Sequence, residues 1–149
     1  MHRIIFVCHA NMSRSPMAEA VMKGLVKKTG REDSFLIDSA GAGYNVGGMR
    51  MDNACIDVLR RHGIPFDPTR LSREFDRGDY DLFDMVVVMD NDILEAVNEL
   101  TDGDPEGKVS LLLSHAGEDR EVHDPYYTGD YETAFSDIEK GCLALIKKL

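Results

Sequence analysis

One short segment near the start of the chain combines a cysteine, an arginine and a serine in an arrangement that could support chemistry. Cys8 is followed after five residues by Arg14 and then by Ser15, with a strand pattern before the segment and a helix pattern after it. A loop in that position can turn successive backbone N–H groups inward, and these donors and the positive helix end make an anion site. Such a site favours the thiolate of Cys8, which is the nucleophilic form. The planar guanidinium of Arg14 can hold two oxygens of the anion, and Ser15 can donate a hydrogen bond to the sulfur.

The predicted anion-binding loop comprises His9, Ala10, Asn11, Met12, Ser13, Arg14 and Ser15. The alternative is that Cys8 is an ordinary core residue, because cysteine is often buried and the Cys-x5-Arg spacing alone is a weak pattern. The preceding strand, the following helix and the pair Ser15-Pro16 favour the anion site, since proline is well tolerated at a helix start.

Strand and helix patterns alternate along the chain. We predict strands over Arg3–Cys8, Ser34–Asp38, Asp84–Met89 and Lys108–Leu113, and helices over Ser15–Thr29, Met51–His62, Asp90–Leu100 and Tyr131–Leu149. Residues 40–48 and 114–130 are expected to form loops, and residues 67–80 an irregular or short-helical segment. The alternation predicts an α/β fold, a single three-layer domain over 1–149 with a parallel sheet covered by helices on both faces. Ligands bind beyond the carboxyl ends of strands in such sheets, and Cys8 stands at such an end.

Composition argues against several classes of partner and cofactor. The chain has 17 basic and 27 acidic residues, and a net charge of −10 disfavours nucleic acid, which binds basic surfaces. No apolar run approaches the roughly 20 residues of a membrane helix, and no signal peptide is expected, because the first residues run directly into a strand. The three cysteines, Cys8, Cys55 and Cys142, form no CxxC pair, which predicts neither a disulfide framework nor a zinc site. A cytoplasmic protein fits this pattern best.

Three motifs, in order, carry a family resemblance. They are CHANMSRSPMAEA at Cys8–Ala20, DSAGAGY at Asp38–Tyr44 and DPYY at Asp124–Tyr127. In order, spacing and chain length they resemble the low-molecular-weight protein tyrosine phosphatase family, and the resemblance spans essentially the whole chain.

The resemblance implies a fold, a reaction and a set of site residues. The fold would be a four-stranded parallel sheet of the phosphotyrosine protein phosphatase I-like kind. Cys8 would attack phosphorus and form a cysteinyl-phosphate, Arg14 would bind the phosphate, and Asp124 would act as general acid and then as general base. No metal or other cofactor is needed, because the loop supplies the positive field.

The resemblance also assigns supporting roles. Tyr44, Tyr126 and Tyr127 would line the substrate pocket, where an aromatic-sided slot suits a phenyl phosphate. Asn11, Ser15 and Ser39 would brace the loop by hydrogen bonds. The alternatives are a solvated loop carboxylate at Asp124, loop packing by the tyrosines, and ordinary turn and cap chemistry for the asparagine and the serines.

Three departures from the family pattern concern the loop. Ala10 stands where the family has glycine, and a positive φ there would add strain of about 1 kcal/mol. Ser13 replaces the family's second cysteine, so Cys8 should be oxidised irreversibly more readily, and neither Cys55 nor Cys142 is expected to substitute. A bracing histidine is absent after the second helix, and Arg70 is the candidate for its place.

Three other functions are alternatives, two of them known on the same fold. Thioredoxin-coupled arsenate reductases need two further close cysteines, and Val86–Leu94 contains none. Protein arginine phosphatases carry threonine where this chain has Met12 and lack the paired tyrosines, so phosphotyrosine is favoured while phosphoarginine stays open. A catalytically weak phosphate-binding module is the third alternative, although it would not need both a nucleophile and an acid. We expect a monomer whose partner is a phosphotyrosine-containing protein, with tyrosine kinases among the candidates.

Overall fold

A sheet of four parallel strands forms the centre of the computed structural model, which describes all 149 residues. The strands are β1 (His2–Cys8), β2 (Phe35–Gly41), β3 (Met85–Val88) and β4 (Val109–Leu111), in the spatial order β2-β1-β3-β4. Cys8 is paired in register with Gly41 of β2, and Val7 is paired with both Ala40 and Val88. The central strand β1 therefore delivers Cys8 to the middle of the carboxyl edge of the sheet.

Helices cover both faces of this sheet. They are α1 (Arg14–Lys28), α2 (Asn53–Arg61), α3 (Arg77–Leu82), α4 (Asn91–Leu100), α5 (Pro125–Thr128) and α6 (Tyr131–Lys147). Two short 3-10 helices lie at Glu32–Ser34 and Leu112–Ala116. No helix is both long and apolar enough to cross a membrane.

Alternation along β1 divides the core into two. Successive strand side chains point to opposite faces, so Ile4 and Phe6 enter a core of 24 residues with side chains of α1, α2 and α6. Ile5 and Val7 enter a core of 10 residues with side chains of α3 and α4. This arrangement confirms the predicted fold class, an α/β sandwich with a parallel sheet between two helical layers.

Three predicted segments differ from the structure. The strand predicted over Lys108–Leu113 ends at Leu111, because Leu112 and Leu113 turn into the larger core. There a Cβ on Gly141 of α6 would lie only 2.4 Å from the Leu112 side chain. The strand predicted over Ser34–Asp38 continues to Gly41, into the predicted loop 40–48, and the predicted loop 114–130 contains α5 and part of a 3-10 helix. The segment 67–80 is irregular and contains the start of the short helix α3, as predicted.

Candidate active site

The loop between β1 and α1 lies against the chain that follows β2. Ala42 and Gly43 donate their backbone N–H groups to the carbonyls of Cys8 and His9, over 2.9 and 2.8 Å. Gly43 permits this approach, because a Cβ there would lie 2.4 Å from the His9 ring. The chain after β2 therefore supports the first residues of the predicted anion-binding loop.

Backbone donors of this loop are free to bind an anion. The N–H groups of Ala10 and of residues 12–15 have no acceptor within the protein. The N–H of Asn11 points at Cys8 Sγ over 3.3 Å. Asn11 adopts a φ of 58°, whereas Ala10 does not have a positive φ, so the strain considered for Ala10 does not arise. Because α1 begins at Arg14, its positive end adds to the field of these donors.

Hydrogen bonds surround the sulfur of Cys8, which is 3% exposed. Ser15 Oγ lies 2.9 Å from Cys8 Sγ, and a thiolate in this position can only accept that hydrogen bond. Asn11 Nδ2 donates to Ser15 Oγ over 2.8 Å and to Ser39 Oγ over 3.0 Å. All three of these polar residues are fully buried, so the structure brings the predicted bracing residues together around the cysteine.

Arg70 completes this network from outside the loop. Its guanidinium donates to the backbone carbonyl of Asn11 over 3.1 Å, to Asn11 Oδ1 over 2.6 Å and to Ser39 Oγ over 3.3 Å. The backbone N–H of Arg73 also donates to Asn11 Oδ1, over 3.1 Å. Arg70 thus braces the loop, whereas no sequence motif predicts the contact from Arg73.

Arg14 is almost completely buried, and its guanidinium binds a side chain at the start of α4 and a backbone carbonyl of the loop before α5. Its Nη2 lies 2.8 Å from Asp90 Oδ2 and its Nη1 donates to the carbonyl of Val122 over 3.3 Å. Asp124 Oδ2 lies 3.6 Å from the same Nη2. Asp90 lies shortly after β3, beyond Met89, and caps α4 by accepting from Ile93 N. Sequence reasoning missed Asp90, because a single aspartate after a strand is not distinctive.

Asp124 opens the four-residue helix α5. Its side chain accepts a hydrogen bond from the backbone N–H of Tyr126 over 3.0 Å, and it is 40% exposed. Proline at position 125 suits the first turn of a helix. Tyr126 and Tyr127 are exposed, and their rings meet edge to face with centroids 5.0 Å apart. The DPYY motif therefore places a carboxylate and two aromatic rings on one turn of helix.

The anion-binding loop and the DPYY turn line one cavity of about 480 Å³. Its lining residues are Cys8, His9, Ala10, Met12, Ser13, Arg14, Asp52, Asp124, Pro125, Tyr126, Tyr127 and Tyr131. Asp52 and Tyr131 were not predicted, because they belong to none of the three motifs. No group of three or more His, Cys, Asp or Glu side chains is placed to hold a metal ion.

Tyr44, which was predicted to line the substrate pocket, is not among the residues that line this cavity. The ring is 85% exposed and stands edge-on to the His9 ring, with centroids 6.2 Å apart. The neighbouring His9 ring, for which Gly43 leaves room, does line the cavity.

Cys55 lies behind the loop rather than in the cavity. Its Sγ is 3.5 Å from the carbonyl of Ser13. Burial, followed by the nearby negative charge of Asp52, raises the pKa of the Cys55 thiol to about 12. Burial also raises the pKa of Cys142. All three cysteines are unpaired.

Comparison with known proteins decides the family. The model of the family described as low molecular weight phosphotyrosine protein phosphatase matches residues 3–149. The chain belongs to this family. It is 34% identical to the low molecular weight protein-tyrosine-phosphatase YfkJ of Bacillus subtilis, over 100% of this chain and 96% of that protein. It is 31% identical to the human low molecular weight phosphotyrosine protein phosphatase, over 97% and 94% of the two chains. Because the family and these relatives are named as phosphatases, the chain is identified as a phosphatase.

Solved structures agree in fold. The crystal structure of YfkJ superposes with a TM-score of 0.94 at 35% identity, covering 99% of this chain and 94% of that one. A Drosophila arginine phosphatase superposes with a TM-score of 0.86 at 30% identity, over 97% of this chain and 96% of that one. Members with this fold therefore include enzymes named for two different phosphorylated residues.

Proposed function

We propose that this protein hydrolyses phosphotyrosine in proteins through a cysteinyl-phosphate intermediate. The observation that carries the proposal is the row of unpaired backbone N–H groups beside Cys8 Sγ, at the N-terminus of α1. Such donors bind the equatorial oxygens of a phosphoryl group and stabilise the charge that develops on them during transfer.

In the first step the thiolate of Cys8 attacks phosphorus. A sulfur–phosphorus bond forms as the bond between phosphorus and the phenolic oxygen breaks, and Asp124 gives its proton to the departing phenolate. Arg14 holds two phosphoryl oxygens with donors that Asp90 and Val122 do not occupy. The partial exposure of Asp124 at the cavity supports this role, since a leaving group can reach it.

In the second step water attacks phosphorus and restores the thiolate. Asp124, now ionised, accepts a proton from the water. The water oxygen bonds to phosphorus as the bond between sulfur and phosphorus breaks. The Ser15 hydroxyl, 2.9 Å from Cys8 Sγ, stabilises the sulfur as a leaving group by donating to it. Inorganic phosphate is released. Asn11, Ser15 and Ser39 keep the loop in the conformation that both steps require.

Tyrosine is favoured as the phosphorylated residue by the rings at the cavity. Tyr126 and Tyr127 form one side of the entrance and Tyr131 lines the same cavity, and aromatic walls suit a flat phenyl ring. Tyr44 stands beside the His9 ring, with centroids 6.2 Å apart, where it can contact the substrate or the polypeptide that flanks the phosphotyrosine. We further infer that the substrates include tyrosine kinases, that the enzyme acts as a monomer, and that it works in a reducing cytoplasm, where Cys8 is not oxidised.

Phosphoarginine is the second candidate substrate, because the carboxylates of Asp52 and Asp124 both line the cavity. A guanidinium could pair with them, whereas a phenyl ring could not. The two substrates are distinguished by comparing kcat/KM on a phosphotyrosine peptide and on the same peptide carrying phosphoarginine. A higher value on phosphotyrosine supports the first proposal, and the reverse order would replace it by the second.

The mechanism is tested with para-nitrophenyl phosphate, without metal and under reducing conditions. We expect turnover by the wild type, inhibition by vanadate, no turnover by Cys8→Ser, and a phosphorylated intermediate that accumulates in Asp124→Ala. Circular dichroism verifies that each variant is folded. A folded wild type that binds phosphate without turnover would identify a phosphate-binding module instead.

A further inference from the structure

Four helices of this protein begin with an aspartate that caps its own helix. Asp76, Asp90, Asp124 and Asp130 each accept a hydrogen bond from a backbone N–H in the first turn of α3, α4, α5 and α6. Asp52 stands in the same position before α2 but makes no capping bond. Ser13, in the corresponding position before α1, makes none either. Ser13 and Asp52 are residue types that favour helix caps, yet the side chain of neither one caps its helix.

Ser13 and Asp52 bind each other. The Ser13 hydroxyl donates to Asp52 Oδ2, and the Asp52 backbone N–H donates to the carbonyl of Met12 over 3.0 Å. The start of α2 is therefore tied at two points to the anion-binding loop. Both Ser13 and Asp52 line the cavity.

A free Ser13 hydroxyl would compete with substrate. A capping serine accepts from the N–H two or three residues further on. Here those residues are Ser15 and Pro16, and proline has no N–H. The Ser15 N–H is thus the one donor that a capping Ser13 could take, and it is among the unpaired donors available to phosphate.

We propose that Asp52 is a positioning residue that keeps the Ser13 hydroxyl away from the N-terminus of α1. The backbone donors there stay available for the phosphoryl group. This role deepens the proposed phosphatase function and rests on it, because it concerns the same anion site.

Electrostatics alone predicts the opposite result when Asp52 is removed. Its carboxylate lines a cavity that receives an anion, so loss of the charge should strengthen phosphate binding. Loss of the hydrogen bond between Ser13 and Asp52 should weaken phosphate binding, because the Ser13 hydroxyl then accepts from the Ser15 N–H. Asparagine at this position separates the two effects, since its amide oxygen still accepts from Ser13 but carries no charge.

The experiment measures the dissociation constant of inorganic phosphate, and kcat and KM for para-nitrophenyl phosphate, in a cycle of variants. We expect Asp52→Ala to weaken phosphate binding about fivefold, the size of one capping hydrogen bond. With Ser13→Ala already present, Asp52→Ala should weaken binding less than about twofold, because no hydroxyl remains to compete. Asp52→Asn should bind phosphate at least as tightly as the wild type.

Two further variants serve as controls. Asp57→Ala removes the same charge from the same helix at an exposed position without hydrogen bonds, and it should leave phosphate binding unchanged. Where Asp52→Ala is unstable, Asp52→Ser takes its place, because serine can cap α2 but is too short to hold Ser13.

Two results would overturn the inference. Tighter phosphate binding by Asp52→Ala would assign Asp52 a purely electrostatic effect. If Asp52→Ala weakened phosphate binding equally with Ser13 present and with Ser13→Ala, Asp52 would have only a general role in the stability of the loop. A wild type that bound no phosphate would overturn the proposed function as well, whereas the first two results leave that function intact.

Discussion

Arg70 donates two hydrogen bonds to Asn11, over 2.6 Å to its side-chain oxygen and over 3.1 Å to its backbone carbonyl. Asn11 is the residue whose φ of 58° turns the loop and whose N–H faces Cys8 Sγ. Non-glycine residues adopt this conformation at a cost, so the surrounding hydrogen bonds must hold it. A residue 59 positions along the chain thereby fixes the orientation of the donor beside the nucleophile.

Replacing Arg70 by methionine should lower kcat/KM by about tenfold to a hundredfold. Hydrogen bonds from a charged donor contribute about 1.5–3 kcal/mol, and each 1.4 kcal/mol corresponds to about tenfold in rate. Lysine should be intermediate, because it keeps the charge but cannot form the same fork. The exposed Arg50 provides the matched control, Arg50→Met. Equal activities for the two methionine variants would show that Arg70 has no part in holding the loop.

Removing the carboxylate of Asp90 should impair both stability and turnover. Arg14 is 5% exposed in its side chain, and it loses its 2.8 Å partner while keeping the longer 3.6 Å contact with Asp124. Removing one partner of a buried ion pair costs about 3–5 kcal/mol. We therefore expect Asp90→Ala to lower the free energy of unfolding by several kcal/mol in urea, and to lower kcat. Asp92→Ala, at an exposed position in the same helix turn without an ion pair, should change stability by less than about 1 kcal/mol. Similar losses in both variants would contradict the importance of the Arg14–Asp90 pair.

Alkylation should distinguish Cys8 from the other two thiols. Because the pKa of Cys55 is raised to about 12 and that of Cys142 is also raised by burial, both remain protonated and unreactive at pH 7. Iodoacetamide should add one group to the native protein, at Cys8, and inorganic phosphate should slow the reaction. Mass spectrometry locates the adduct, and protein unfolded in guanidinium should take up three groups. Labelling of native Cys55 would contradict the expectation.

Asp104 should contribute stability that disappears in acid. Burial opposes its ionisation, but hydrogen bonds from the Tyr80 hydroxyl and from the N–H groups of Lys108 and Val109 outweigh burial, so the pKa of this carboxyl lies below its usual value. The contribution is fully present above the unfolded-state value near 3.8 and is lost as the pH falls through the lower native-state pKa.

We expect Asp104→Asn to lower the free energy of unfolding by about 1–3 kcal/mol at pH 7. The difference from the wild type should shrink as the pH is lowered below 3.8. Asp102→Asn is the comparison, because Asp102 pairs with Arg77 only at the surface and such pairs contribute about 0–1 kcal/mol. A difference between Asp104→Asn and wild type that did not depend on pH would contradict the assignment.

Local patterns and motifs identified most of the fold, because the alternating strand and helix patterns are long and apolar. The family resemblance carried by the three motifs predicted that Cys8, Arg14 and Asp124 share a site, and all three line the same cavity. Asp52 and Asp90 could not be found in this way. Each is a single aspartate before a helix, and only the folded chain shows that Asp52 reaches a loop 39 residues away while Asp90 reaches one 76 residues away.

The four residues of α5 carry the proposed acid and the aromatic entrance together. Asp124 caps the helix whose next two side chains after Pro125 are Tyr126 and Tyr127. An insertion or deletion in this segment would therefore alter substrate preference and leaving-group protonation in a single mutational event. Selection for new substrates in this scaffold should act through substitutions at the two tyrosines and leave the length of the turn unchanged.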